Sequence, residues 1–261
     1  MQQLKAKITY HKEIKKNYRR CVLEAMGIAA QACPGQFLQI KTEGADVFLR
    51  RPFSIHAVKG EKLEVLYAVL GKGTQGFAEK KAGEYLDIIG PLGRGFSYHA
   101  GLAEYRLPVL VAGGMGVAPL FFLAQSIRRD YPRFNLRVLL GARNKSQILC
   151  VRELKSLGCQ VNIATDDGSQ GFKGKVTGLL KNLLRQKEYD RRLMLYACGP
   201  KSMLKELTRL SQEYQAPAQV SLEEHMACGI GACLGCIVKT VGGYQRVCKE
   251  GPVFDAKELI F

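Results

Sequence analysis

The sequence predicts a β-rich N-terminal module, a parallel-sheet α/β module and a short cysteine-rich tail. Three observations carry this. Residues 1 to about 98 break into short alternating or β-branched runs separated by turn signals such as CPGQ and VKGEK. From about residue 104 strand-like and helix-like runs alternate, the pattern of a parallel sheet flanked by helices. Near residue 216, after QAPAQV, that rhythm stops, and HMACGIGACLGC packs three cysteines and three glycines into residues 225–236.

In the first module the strand candidates are AKITY, CVLEAMGI, QFLQIKT, DVFLR, KLEVLYAVL and EYLDIIG. Several short strands at close spacing suggest a small barrel or a sandwich. Within LRRPFSI, residues 49–55, an arginine, an aromatic and a hydroxyl suit a flavin. Arg51 can neutralise phosphate and Ser54 can hydrogen-bond an isoalloxazine, although an Arg–Pro edge strand is the plain alternative. GKGTQGFA, residues 71–78, reads as a glycine-rich turn into a helix whose N–H groups could hold a pyrophosphate. GPLGRGF at 90–96 is a second such turn or a simple barrel connection.

The second module runs strand LPVLVAGG, helix VAPLFFLAQSIRRD, strand LRVLLGA, helix SQILCVRELKSLG, strand CQVNIAT, strand LMLYACGP and helix KSMLKELTRLSQEY. Residues 107–127 carry no charge over a length that could span a bilayer. Gly113, Gly114, Gly116 and Pro119 interrupt them, so strand, turn and buried helix is the better reading. The glycines of VAGGMGVAPL permit close approach of a dinucleotide, and the helix start favours its phosphates. The spacing is not G-x-G-x-x-G. YACGP, residues 196–200, puts Cys198 at the same sheet edge, where it either approaches a nicotinamide or is a buried structural thiol.

The tail has the spacing Cys228-x4-Cys233-x2-Cys236, then eleven residues, then Cys248. Plant-type [2Fe–2S] sites use C-x4-C-x2-C with a more distant fourth cysteine. The small residues between the cysteines keep side chains away from backbone N–H groups that must point at sulfur. Zinc is the alternative, but zinc ribbons pair two C-x2-C knuckles and this tail has one. VGG between IVKT and YQRVC reads as a hairpin turn that returns Cys248 to the site. Cys21, Cys33, Cys150, Cys159 and Cys198 show no second ligand spacing.

Across 261 residues, 47% apolar and 24% charged describe a soluble globular protein. Nine cysteines and a lysine-rich N-terminus without an apolar core argue for reduced thiols or metal ligands and a cytoplasmic location. The net charge of +16 is a solvated surface or a docking face for an acidic partner. Neither KKNYRR (15–20) nor RQKEYDRR (185–192) has the interleaved aromatic and glycine pattern of a single-strand-binding module, and no finger or helix-turn-helix pattern is present, so nucleic acid is not expected.

Taken in order, RPFS, GGMGVAP and YACGP resemble the flavin motif, the nicotinamide-domain turn and the late strand end of the ferredoxin–NADP reductase superfamily. EEHMACGIGACLGC and VCKEGPVF resemble the electron-transfer subunits of class 1B dihydroorotate dehydrogenases. The resemblance covers essentially the whole chain. It implies an FAD-binding antiparallel β-barrel at 1–100, an NAD-binding domain at 101–215 and a [2Fe–2S] domain at 216–261. It implies FAD held by Arg51, Pro52, Phe53 and Ser54, with Leu66, Tyr67 and Ala68 on the next strand and Gly73 and Thr74 at the pyrophosphate. Gly113, Gly114, Gly116 and Cys198 would meet NAD, and Cys228, Cys233, Cys236 and Cys248 would ligate the cluster. Phe53 and Ala68 depart from the residues frequent at those places, and the basic balance is not a family trait. Arg143 could meet the 2′-phosphate of NADP or lie in solvent, but no arginine lies immediately after GGMGVAP, so NAD is expected.

The same resemblance implies a partner: an FMN-containing catalytic subunit that oxidises dihydroorotate, in a heterotetramer of two of each chain. Electrons would cross the cluster and FAD to NAD⁺, and this chain would need no dihydroorotate site or catalytic base. A same-cofactor subunit of a sulfide dehydrogenase, a hydrogenase or a ferredoxin:NADP transhydrogenase complex is the nearest rival.

Overall fold

The computed structural model describes residues 1–42, 47–99, 107–186 and 193–261. The expected boundary at residues 100 and 101, and residues 187–192 of the basic run, lie outside them.

Six strands close the first module into a barrel rather than a sandwich: β1 (Gln2–Lys15), β2 (Tyr18–Glu24), β3 (Phe37–Ile40), β4 (Arg51–Lys59), β5 (Lys62–Ala68) and β6 (Tyr85–Leu92), in the order β1-β2-β5-β4-β3-β6. Alternation does the sorting, since successive side chains point to opposite faces. On β5, Leu63, Val65 and Tyr67 turn inward, and on β3 Leu38 and Ile40 do, joining Ile8, Leu23, Ile55 and Ile88 in one core. A short helix α1 (Met26–Ala29) follows β2, and α2 (Lys72–Glu79) seats Phe77 in the barrel core. Residues 47–50 of the expected strand DVFLR are not strand, and Phe48 is 92% exposed.

The second module is a parallel sheet of β7 (Leu107–Gly113), β8 (Arg137–Ala142), β9 (Gln160–Thr165), β10 (Phe172–Lys173), β11 (Leu193–Cys198) and β12 (Ala218–Ser221). Every residue of β7 is buried, as a strand covered on both faces must be. The uncharged run 107–127 is β7, one 3₁₀ turn (Gly114–Gly116) and α3 (Val117–Asp130). Among the described residues no helix is long and apolar enough to cross a membrane. Helix α3 is apolar nearly all round because it lies between barrel and sheet: Phe122 enters the barrel core and Phe121 stacks on His56 of β4, with ring centroids 4.6 Å apart.

The helix expected over SQILCVRELKSLG shrinks to α4 (Val151–Ser156), since Cys150 takes a left-handed φ of 60° and breaks any helix through it. Helices α5 (Val176–Leu184) and α6 (Lys201–Glu213) complete the flanks.

The tail forms the expected hairpin, β13 (Ile237–Thr240) and β14 (Gly243–Arg246), with Thr240 opposite Gly243 across the turn. It then returns as β15 (Val253–Asp255), which pairs antiparallel with β12 and caps the seven-stranded sheet β10-β9-β8-β7-β11-β12-β15. The expected boundary near residue 216 thus falls just before β12, and the tail is hydrogen-bonded to the sheet beyond it.

Candidate redox centre

A cleft of about 560 Å³ opens where the three modules meet. Its barrel wall is Pro52, Phe53 and Ser54 on β4 together with Leu66, Tyr67 and Ala68 on β5, six of the residues expected at a flavin. Thr74 lines one end. Arg51 lies beside it: a methyl added to Gly73 would come within 2.9 Å of the Arg51 Nε, so the glycine lets the guanidinium approach the start of α2. The Thr74 hydroxyl accepts the N–H groups of Leu70 and Gly71 at 2.8 and 3.0 Å, which shapes that turn. Cationic Arg51 and the open N–H groups of α2 together fit a pyrophosphate.

Phe53 serves two roles. It lines the cleft and also packs into the barrel core, edge-on to Tyr67 at 5.4 Å and to Phe77 at 5.1 Å. An aromatic is accommodated there because Tyr67 and Phe77 stack beside it at 4.5 Å. His11 supports Tyr67 from behind. Its Nδ1 lies 2.7 Å from the Lys80 carbonyl, which only accepts, so the proton sits on Nδ1 and Nε2 accepts from the Tyr67 hydroxyl at 2.9 Å. Burial lowers the His11 pKa and favours this neutral form. Sequence reading missed His11, which has no motif around it.

The opposite wall comes from the α/β module through Met115, Ala118 and Cys198. The turn after β7 and the end of β11 interlock. A methyl on Gly116 would collide with the Cys198 carbonyl and reach 2.9 Å from the Gly199 nitrogen; one on Gly113 would reach 2.8 Å from Pro200. Gly114 instead takes a φ of +54° with open space beyond it, leaving the backbone accessible to a ligand. GGMG and CGP therefore form one sheet-edge site. Burial pushes the Cys198 thiol far up, so it is a neutral neighbour of the cleft and not a nucleophile.

The third wall is residues 223–226, which run directly into Cys228. Their part in the cleft was not legible from sequence. The Glu223 side chain reaches solvent, yet the protein around it raises its carboxyl pKa.

The four tail cysteines meet in two pairs. The Cys233 N–H donates to the Cys228 sulfur at 3.4 Å, and the Cys248 N–H donates to the Cys236 sulfur at 3.4 Å. Among the described residues no three ligating side chains converge on one ion position. Paired thiols suit a two-iron group, with two ligands for each iron, better than a single zinc. Burial acts to raise the Cys228 pKa, but the N–H groups of Ile230, Cys233 and Ala232 and the Cys233 thiol outweigh it and bring it down to about 6. A loop that favours thiolate in this way suits a metal-bound sulfur. Gly229 and Gly231, at φ +70° and +85°, turn those N–H groups inward. Arg246 ties the hairpin to the loop through the Gly231 carbonyl at 2.9 Å, and its ion pair with Glu250 holds that carboxyl down to about 2.

The model of the iron–sulfur cluster binding domain of dihydroorotate dehydrogenase B matches residues 223–260, and that of the oxidoreductase NAD-binding domain matches residues 110–209. The dihydroorotate dehydrogenase B (NAD(+)), electron transfer subunit of Desulforamulus reducens is 43% identical over 245 residues, covering 91% of this chain and 90% of that one. The subunit of the same name from Clostridium perfringens is 37% identical over 261 residues, covering 100% and 99%. Among solved structures, one described as an NADH-dependent reduced ferredoxin-NADP oxidoreductase superposes with a TM-score of 0.84 at 29% identity, covering 98% of this chain and 89% of its own. At these identities and over nearly the whole length of both chains, the chain belongs to the family of dihydroorotate dehydrogenase B electron transfer subunits.

Proposed function

We propose that the chain carries electrons from the FMN of a dihydroorotate-oxidising partner to NAD⁺, using a [2Fe–2S] cluster at Cys228, Cys233, Cys236 and Cys248 and FAD in the three-module cleft. The observation that supports this most is the cleft itself, which touches the β4 flavin strand, the β7–α3 turn and the segment leading into Cys228. The bound groups divide the chemistry: the cluster carries one electron, the flavin one or two, and nicotinamide accepts a hydride.

The protein's own residues bind and orient. Arg51, Gly73 and Thr74 hold the pyrophosphate. Pro52, Phe53 and Ser54 with Leu66, Tyr67 and Ala68 support the isoalloxazine, and the Tyr67 hydroxyl is fixed in direction by His11. Gly113, Gly114 and Gly116 with Cys198 receive NAD against the opposite wall. The loop N–H groups of Ile230, Ala232 and Cys233 favour the thiolate of Cys228. We divide the chain into units at 1–100, 101–215 and 216–261 and assign the dihydroorotate site to the partner. The assembly is a cytoplasmic heterotetramer of two of each chain. Apolar side chains left exposed around the cluster loop, Ile230, Leu234, Ile237 and Tyr244, suit a flavoprotein docking there.

The test is an anaerobic pull-down of the chain from its native extract, with the eluate assayed for dihydroorotate-dependent NAD⁺ reduction. Activity with a co-eluting flavoprotein is expected. A yellow-brown eluate lacking it would instead point to a complex of the ferredoxin-NADP oxidoreductase kind, the second reading favoured by the high structural overlap.

A further inference from the structure

Gln39 lies on β3 between the flavin wall and the cluster loop, and nothing so far gives it a role. Its neighbours Leu38 and Ile40 point into the barrel, so Gln39, like Phe37, points out of it. Across the ladder it faces Pro52, which lines the cleft. On its outer side it meets Gly229, the residue after Cys228: a methyl there would strike the Gln39 amide, with Cδ at 2.8 Å. The side chain is fully buried, and among the described residues neither its Nε2 nor its Oε1 has a hydrogen-bond partner.

A buried amide without partners is rare and costly, and calls for a specific cause. Here the partner follows from chemistry. The groups this loop is built to hold offer only acceptors, namely thiolate and sulfide sulfur, while the amide brings two N–H donors. Exchanging the amide nitrogen and oxygen would not alter this, because both are unpartnered.

We propose that Gln39 donates its side-chain N–H to the sulfur of the cluster held by the loop, and that it thereby sets the cluster's potential relative to the flavin. The inference rests on the cluster reading above. Hydrogen bonds to cluster sulfur favour the reduced, more negative state and raise the potential. A donor mounted on the flavin strand's neighbour would tune the cluster without contacting the flavin.

The experiment is a redox titration of the anaerobically purified, fully loaded chain, wild type against Gln39→Met and Gln39→Glu. Iron, acid-labile sulfide and FAD are measured first. Electron paramagnetic resonance follows the cluster and visible absorbance follows the flavin. The expected result is a cluster midpoint shifted negative in Gln39→Met and further negative in Gln39→Glu, with the flavin midpoint unchanged. Should either variant fail to load, electron–nuclear double resonance on the reduced wild type, with its glutamine side-chain amides isotopically labelled, should show a coupled side-chain amide absent from unlabelled protein. A loaded Gln39→Met with an unmoved cluster midpoint, a shift in the flavin alone, or no such coupling would overturn the proposal. A wild-type chain that binds no iron or sulfide would overturn the cluster reading itself.

Discussion

The backbone N–H of Cys248 points at the sulfur of Cys236 from 3.4 Å away, across the β13–β14 hairpin that separates them. Both thiols are buried, whereas Cys233 is exposed and Cys228 half-buried. The proposed cluster site would thus be anchored on its inner pair and open at its outer pair.

Replacing Cys236 by serine should abolish iron and sulfide binding and leave FAD in place, since the flavin wall is on β4 and β5. Iron analysis beside flavin absorbance checks this. Joint loss of both groups would mean that the loop and the cleft fold as one unit.

Gly116 and Gly114 should respond differently to alanine. At Gly116 the new methyl meets the Cys198 carbonyl, backbone that cannot move aside, so a cost of about 1–3 kcal/mol and weaker NADH binding are expected. At Gly114 the space is open and only the left-handed backbone opposes the change, at about 1 kcal/mol. Denaturant melts and NADH–ferricyanide kinetics compare the two.

His56 predicts how the fold responds to acid. It is fully buried between β4 and α3, donates from Nδ1 to the Ala118 carbonyl at 3.0 Å, and burial lowers its pKa to about 4. The unfolded chain protonates this group below about pH 6.5 and the folded chain does not. Stability should therefore be full above pH 6.5 and fall by about 3 kcal/mol towards pH 4. Melting temperature against pH should be flatter over that window in His56→Gln; equal slopes would exclude His56 as the cause.

Phe53→Ala should destabilise the barrel by about 3 kcal/mol, because it leaves a hole beside Tyr67 and Phe77. Phe53→Leu should be milder and keep FAD. Flavin retention on gel filtration together with thermal melts would show whether Phe53 is mainly a core residue or mainly a flavin contact.

Much of this was legible where chemistry is local. The cysteine spacing, the VGG hairpin and the uninterrupted apolar run of β7 each carry their own signal. Helix α5 was not among the expected elements, although Val176, Leu179, Leu180 and Leu183 follow helical spacing. What was not legible depends on chain segments far apart. Nothing near Cys150 announces its left-handed φ, and the exposure of Phe48 runs against its hydrophobicity. The three residues of β15 are too few to show a period. Likewise, Gln39 meets Gly229, and His11 meets Tyr67, only after the modules have closed.

Electron paramagnetic resonance of the anaerobic, fully loaded chain after addition of NADH tests most directly whether electrons pass between nicotinamide and cluster within it. A relay through the flavin predicts that NADH alone bleaches the flavin and elicits the rhombic spectrum of a reduced two-iron cluster, and that Cys236→Ser keeps the first effect and loses the second. A cluster signal raised by dithionite but never by NADH, with the flavin fully bleached, would contradict it.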